Sequence, residues 1–214
     1  MLEACTQARV AADSKTLDDC RDRLSQGMPA AAGDGKHRSV PNILQAIRDR
    51  RSHHANLLGQ GEGEAWLRYW HARLLRDSPE CGPGQYKAIR NTIGADRPPP
   101  PQCVTGAMRH MLSGLRPAVP SGPARALFMH AAIAMIHGFG DGNGRLARFM
   151  QNWELESAGY SAVFFPGELH AELNEALWSM LGTGDPGPLA SLLVRAHDHC
   201  GRLLAEHNGS DAAQ

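Results

Sequence analysis

No apolar run in this 214-residue chain approaches the roughly 18 residues needed to cross a bilayer. The opening stretch MLEACTQARVAADSK also lacks the basic-then-apolar order of a secretory signal. Net charge is absent too: 22 Lys and Arg balance 22 Asp and Glu, so no global field draws the chain to nucleic acid or to a membrane surface. The five cysteines (Cys5, Cys20, Cys81, Cys103, Cys200) are odd in number and never form C-x-x-C, which argues against a disulfide framework or a zinc ribbon. Together these absences predict a cytoplasmic protein without membrane or nucleic-acid partners, although an effector exported without a cleaved signal would look the same. No internal repeat or long low-complexity segment is present either. What remains is one ordinary domain with a real core and local, rather than global, charge.

The first 36 residues are polar and alanine-rich and end in the breaker cluster MPAAAGDGKH. They predict one helix over about 3–25 and a linker, of open role, with a domain boundary near Ser39. Residues 42–58 have a partly helical spacing. Residues 64–76, EAWLRYWHARLLR, place Trp66, Leu67, Trp70, Leu74 and Leu75 at helical intervals and predict an amphipathic helix. Between Gly82 and Pro101 the texture changes: turn residues flank one short strand-like run, Tyr86–Ile93. That pattern predicts a β-hairpin or extended flap over about 84–101, followed by a proline-stiffened connector. Helical spacing returns at 104–115, then at 124–136, which is apolar almost all round and is expected at the centre of a bundle. Further helices are expected over 145–158, 167–181 and 187–205, with a disordered tail at 208–214. The class is all-α, with one small β element around a central buried helix.

Residues 137–148, HGFGDGNGRLAR, link that apolar helix to the next one and hold the chemistry. Glycines at 138, 140, 142 and 144 let the backbone approach a ligand, and the following helix offers unpaired N–H groups and the positive end of its dipole. Arg145 and Arg148, three apart, share a helix face and suit a di- or triphosphate. Asp141 would repel phosphates unless a divalent cation intervened, so it is the candidate anchor for Mg²⁺. His137, with an ordinary pKa near 6.5, is the candidate general base. Phe139 is expected to plug into the core and pin the nucleotide-binding loop. A glycine turn alone is commonly a plain connection, and a lone histidine at a helix end is commonly a cap; the conjunction in twelve residues is what favours a site.

The stretch also matches, at every defined position, the signature H-x-F-x-[DE]-G-N-G-R-x-x-R, and by it the chain resembles the Fic family. GQYKAIRNTIGADRPPPPQCV (84–104) resembles the flap that such domains place over a target side chain, and SAGYSAVFF (157–165) resembles the segment after the motif helix. The resemblance runs roughly from Glu64 to Arg202, within a domain set at 39–207. It implies a Fic-type helical bundle and a protein adenylyltransferase, moving AMP from ATP onto a Ser, Thr or Tyr hydroxyl of a target protein docked under the flap, with release of pyrophosphate. His137 would be the base, and Asp141 would hold Mg²⁺ on the α- and β-phosphates. Gly142, Asn143 and Gly144 would cradle the phosphates, and Arg145 and Arg148 would hold the β- and γ-phosphates.

Departures from the family pattern are Gly138, where many members have proline, and Lys87, where arginine is frequent. The region after Pro166 holds Asn174 but no tyrosine, and so does not match the tyrosine-and-asparagine pattern that often contacts adenine; UTP stands as the alternative donor. Glu62-Gly63 fits the end of the family's inhibitory pattern, but Leu58 stands where Ser or Thr is required. The chain is therefore expected to lack built-in inhibition, leaving a separate inhibitory partner as the other route of control. The rivals are a nucleotide-binding module without transferase activity, disfavoured by the intact His137, and a zinc site at His197-Asp198-His199-Cys200 or His53-His54, disfavoured because neighbouring helical residues point apart. His130 and the tryptophans at 66, 70, 153 and 178 read as packed residues.

Overall fold

The computed structural model describes residues 3–4, 35–53, 63–94 and 97–211. They fall into two units, one ending at Ser161 and one beginning at Ala162. The helix expected over 3–25 lies outside the described residues except for its first positions, and so do Leu58 and Glu62.

In the first unit, α1 (Gly35–His53) runs through the position near Ser39 where a boundary is expected. Helix α2 (Glu64–Leu74) buries Leu67, Trp70, His71 and Leu74, the stripe its 3–4 spacing demands. Helix α3 (Pro101–Arg109) begins with proline at its first position, where the missing N–H costs nothing, and continues into a π-helical stretch, His110–Leu115. Helix α4 (Pro123–Ile136) starts just after Gly122, whose φ of 88° suits glycine alone, and also has proline at its first position. Helix α5 (Asn143–Ser157) follows after the loop 137–142 and packs along α4 in the most extensive helix–helix contact among the described residues.

The apolar helix α4 is buried as expected, through Ala126, Leu127, Met129, His130, Ala131 and Ile133. Helix α5 is buried more continuously still: every residue from Leu146 to Leu155 is buried, Arg148, Gln151, Asn152 and Glu154 included. It lies there because its polar groups find partners inside the fold, as burial requires. Glu154 accepts from buried Arg116 at 2.7 Å. Arg50 of α1, itself 0% exposed, donates to Glu3 through both terminal nitrogens at 2.9 and 3.0 Å and to Glu156 through Nε at 2.8 Å, while Asn152 donates to Glu3. The apolar part of this core joins Ile43 and Ile47, Leu67 and Trp70, Met129 and Ile133, and Leu146, Phe149 and Met150. Trp66 and Trp70 meet Trp153 with ring centroids 5.0 and 5.6 Å apart, so three of the tryptophans are core residues, as expected.

The flap shows no ladder of strand pairs among the described residues, and residues 95 and 96 in its middle lie outside them; Tyr86 makes an isolated antiparallel bridge with Phe139. The Lys87 N–H donates to the Gly138 carbonyl of the motif loop, and the prolines at 98–101 have no N–H to give a ladder.

The second unit contains a short turn of 3₁₀ helix (Gly167–Leu169), then α6 (His170–Thr183), closed by Gly184 at φ 73°, and α7 (Gly187–Asp211). Helix α7 extends into the stretch expected to be a tail. Buried Cys200 bonds with the backbone of Phe164. Among the described residues no helix is long and apolar enough to cross a membrane, and no group of three His, Cys, Asp or Glu could hold a metal ion.

Candidate active site

His137 caps α4 in the left-handed region (φ 47°, ψ 50°), the only such non-glycine residue among the described ones, and its N–H bonds the Ile133 carbonyl at 3.1 Å. Its ring Nδ1 lies 3.0 Å from the Ala134 carbonyl. A carbonyl can only accept, so Nδ1 carries the proton and Nε2 keeps its lone pair. Burial lowers the pKa of His137; the Ala134 bond opposes it in part, the nearby Lys87 ammonium lowers it further, and Asp141 raises it least. The imidazole is therefore neutral near pH 7, the state a general base needs.

The loop after it is held by side chains from two directions. Asn143, buried at the start of α5, accepts from the Phe139 N–H and donates to the Phe139 carbonyl, both at 2.9 Å. Phe139 is fully buried, as expected, and its ring stacks on His71 at 3.8 Å between centroids and 10° between planes. From the flap, the Asn91 amide donates to the Phe139 carbonyl at 3.1 Å and lies 3.5 Å from that of His137. Lys87 donates to the Asn91 side-chain oxygen at 2.6 Å, and its backbone N–H donates to the Gly138 carbonyl at 2.9 Å. Asn91 thus staples the flap to the motif loop with the oriented amide that Lys87 fixes.

Gly138, the family's frequent proline, has a packing reason here. A Cβ at 138 would stand 2.7 Å from Met108 Cε and 2.9 Å from Val104 Cγ1, so α3 fills the space that a proline ring would need. Gly142 is more constrained still. At φ +77° it occupies the N-cap of α5, and an added Cβ would stand 2.4 Å from Leu75 Cδ1 and 3.1 Å from His71 Nε2. Gly142→Ala is therefore expected to cost about 2–3 kcal/mol, from left-handed strain plus overpacking against a buried leucine. Urea unfolding measures it. Adding Leu75→Ala in a double variant should return the steric part and leave the backbone part.

Asp141 is exposed at the loop tip; one carboxylate oxygen accepts the Gly142 N–H at 2.6 Å and the other lies 3.5 Å from Cys81 Sγ. Its carbonyl is 2.9 Å from His71 Nε2. Arg145 is half-buried, with Nη1 3.4 Å from the Leu74 carbonyl, and Arg148 is buried with Nη1 beside Gly144. The structure so brings together His137, Phe139, Asp141, Gly142, Asn143, Gly144, Arg145 and Arg148 around one loop and one helix N-terminus. His130 stands apart, buried with Nδ1 2.6 Å from Gln151 Oε1, a packed residue as expected.

Three contributors escape the sequence reading: His71, Lys87 as a neighbour of the base, and Asn91. His71 left a trace, since 67, 71, 74 and 75 lie on one helical stripe and a histidine on an apolar stripe must find partners. Lys87 and Asn91 sit in irregular chain and leave no periodic signal. The position of Lys87 carries a prediction. Lys87→Met removes a cation that depresses the His137 pKa, so that pKa rises and the acidic limb of the pH–rate profile moves to higher pH. Lys87→Arg, which keeps the charge, should leave the limb close to its original place. Transfer rates measured from pH 5 to 8 check both.

A helical domain with a buried histidine-capped loop leading into an arginine-bearing helix N-terminus defines the class. Residues 63–155 match the model described as the Fic/DOC family. The chain is 27% identical over 128 residues to a protein adenylyltransferase, fic-1, of Caenorhabditis briggsae, a match covering 58% of this chain and 25% of that protein. It is 32% identical over 96 residues to protein adenylyltransferase Fic of Aedes aegypti, covering 44% and 19%. The chain thus spans about a quarter or less of the length of the curated relatives it matches. A solved structure of Fic-1 from Caenorhabditis elegans superposes with a TM-score of 0.76 at 20% identity, covering 98% of this chain and 63% of that one, a likeness of fold.

Proposed function

We propose that this chain is a protein adenylyltransferase that moves AMP from ATP onto a Ser, Thr or Tyr hydroxyl of a target protein. The carrying observation is the committed tautomer of His137: with Nδ1–H given to the Ala134 carbonyl, the Nε2 lone pair is the basic edge, at one end of a short loop whose other end is the N-terminus of α5. In the reaction the target hydroxyl oxygen bonds to the α-phosphorus, its proton passes to His137 Nε2, and the bond to pyrophosphate breaks. Gly142, Asn143 and Gly144 cradle the phosphates, Gly142 through the turn it makes and Asn143 and Gly144 through the first backbone N–H groups of α5, and the guanidinium groups of Arg145 and Arg148 balance the charge that gathers on the leaving pyrophosphate. The names of the relatives support AMP as the transferred group.

The donor set also fits a divalent cation. A single exposed carboxylate, Asp141, with no protein-only cage around it among the described residues, is what Mg²⁺ uses when most of its ligands are phosphate oxygens and water. Bound there, the ion would neutralise phosphate charge; Asp141 is the residue that would hold it. The extended flap, stapled through Asn91, would fix the target backbone so that one hydroxyl faces His137.

Incubation of the purified protein with Mg²⁺ and ATP, UTP, GTP or CTP, followed by intact mass measurement, tests this. An added AMP supports the reading, an added UMP moves the donor to UTP, and absence of binding to every nucleotide sinks it.

A further inference from the structure

We propose that His71 is a positioning residue of the transfer site, a single imidazole of α2 that latches the start of the flap to the phosphate loop. Its two nitrogens are spent on the two segments. The Gly84 N–H can only donate, so Nδ1, 2.9 Å away, accepts. The Asp141 carbonyl can only accept, so Nε2, also 2.9 Å away, carries the proton. Both ends demand the same tautomer, and the ring satisfies them at once. One face of the ring lies on Phe139, and the position of a Gly142 Cβ falls 3.1 Å from Nε2. One buried side chain therefore touches the loop at 139 and 141 while gripping the flap at 84.

Helix α2 is a firm base for such a latch. Leu67, Trp70 and Leu74 fix it in the core, and Arg68 adds a second grip by donating to the Gly84 carbonyl at 2.7 Å. The consequence is a division of labour between the two edges of the imidazole. The Nε2 edge sets the backbone that carries Asp141, and so affects nucleotide binding. The Nδ1 edge sets where the flap begins, and so affects placement of the target hydroxyl. A core histidine kept only for packing would show no such division.

The test rests on the proposed transferase reading for its kinetic arm alone. Glutamine reaches the Nε2 position and asparagine the Nδ1 position, so His71→Gln keeps the bond to Asp141 and His71→Asn keeps the bond to Gly84. His71→Gln should hold the Kd for ATP with Mg²⁺ and slow self-modification, whereas His71→Asn should weaken ATP binding roughly 3- to 10-fold, the effect of one lost hydrogen bond. Equal losses in both variants, or none in either, overturn the proposal. Two measurements stand apart from activity. Long-range ¹⁵N–¹H spectra of the unaltered protein should place the His71 proton on Nε2, and a proton on Nδ1 overturns the latch even if neither variant folds. Amide exchange at Gly84 should be slow in the unaltered protein and in His71→Asn and fast in His71→Gln; unchanged protection in His71→Gln likewise overturns it. A protein that binds no nucleotide but shows the Nε2 proton and this exchange pattern retains the latch and loses the transferase reading.

Discussion

His137→Ala should lower the rate of AMP transfer by about 10²- to 10⁴-fold while leaving the affinity for ATP and Mg²⁺ within a factor of two. The split follows from where the ring stands. Its Nδ1 points back to Ala134 of its own helix, and the groups that would hold the phosphates lie beyond Asp141, in the first turn of α5. Loss of the imidazole removes the proton acceptor and nothing that grips the nucleotide. Isothermal titration with ATP, beside single-turnover rates read by intact mass, separates the two quantities. A parallel collapse of affinity would mean that His137 binds the nucleotide rather than accepting the proton. An unchanged rate would remove His137 from the mechanism.

Acid should unfold the protein early, and the sign is set by buried histidines. Burial pushes the pKa of His71 and of His130 down to about 4 from an ordinary 6.5. Between those values the unfolded chain binds protons that the folded chain refuses, so stability is full above pH 6.5 and falls as pH drops toward 4. Each group contributes about 3 kcal/mol over that window, and His137, shifted the same way, adds to it. A loss of about 6 kcal/mol is a large part of an ordinary domain's 5–15 kcal/mol. Glu3, whose carboxyl the neighbouring Arg50 holds below the usual range despite burial, acts only at lower pH, so the window belongs to the histidines. Urea unfolding at pH 7, 6, 5 and 4 measures the slope. His130→Leu should flatten it by about half, and a flat line in the unaltered protein would show that both rings protonate without cost.

What the sequence makes legible divides along the line between local and non-local causes. Helices α2, α4, α5 and α7 follow from periodicity, and the start of α3 from Pro101, the start of α4 from Gly122 and Pro123 and the end of α6 from Gly184, because those signals lie within a few residues of their effects. The motif loop is legible for the same reason: the base, carboxylate, glycines and arginines occupy twelve consecutive positions. The parts that fix the loop come from elsewhere. Lys87 and Asn91 act on carbonyls about 50 residues away, and His71 on one 70 residues away. The partner of the flap is not legible because strand-like residues state a preference for extended backbone and not a partner, and here Tyr86 bridges to Phe139. The full burial of α5 is not legible because Arg148, Gln151, Asn152 and Glu154 look exposed until their partners are known.

The left-handed backbone at position 137 places two demands on the same residue. A glycine would take φ 47° without strain, and a histidine does so at a cost of roughly 1–2 kcal/mol. Under selection for heat resistance alone, position 137 is therefore one of the first expected to drift, toward glycine and a sturdier, inert molecule. Under selection for transfer it is one of the last. The thermal penalty at this single peptide thus serves as a record of use: the difference in melting temperature between the protein and His137→Gly measures how much durability the chain gives up to keep an imidazole at the end of α4.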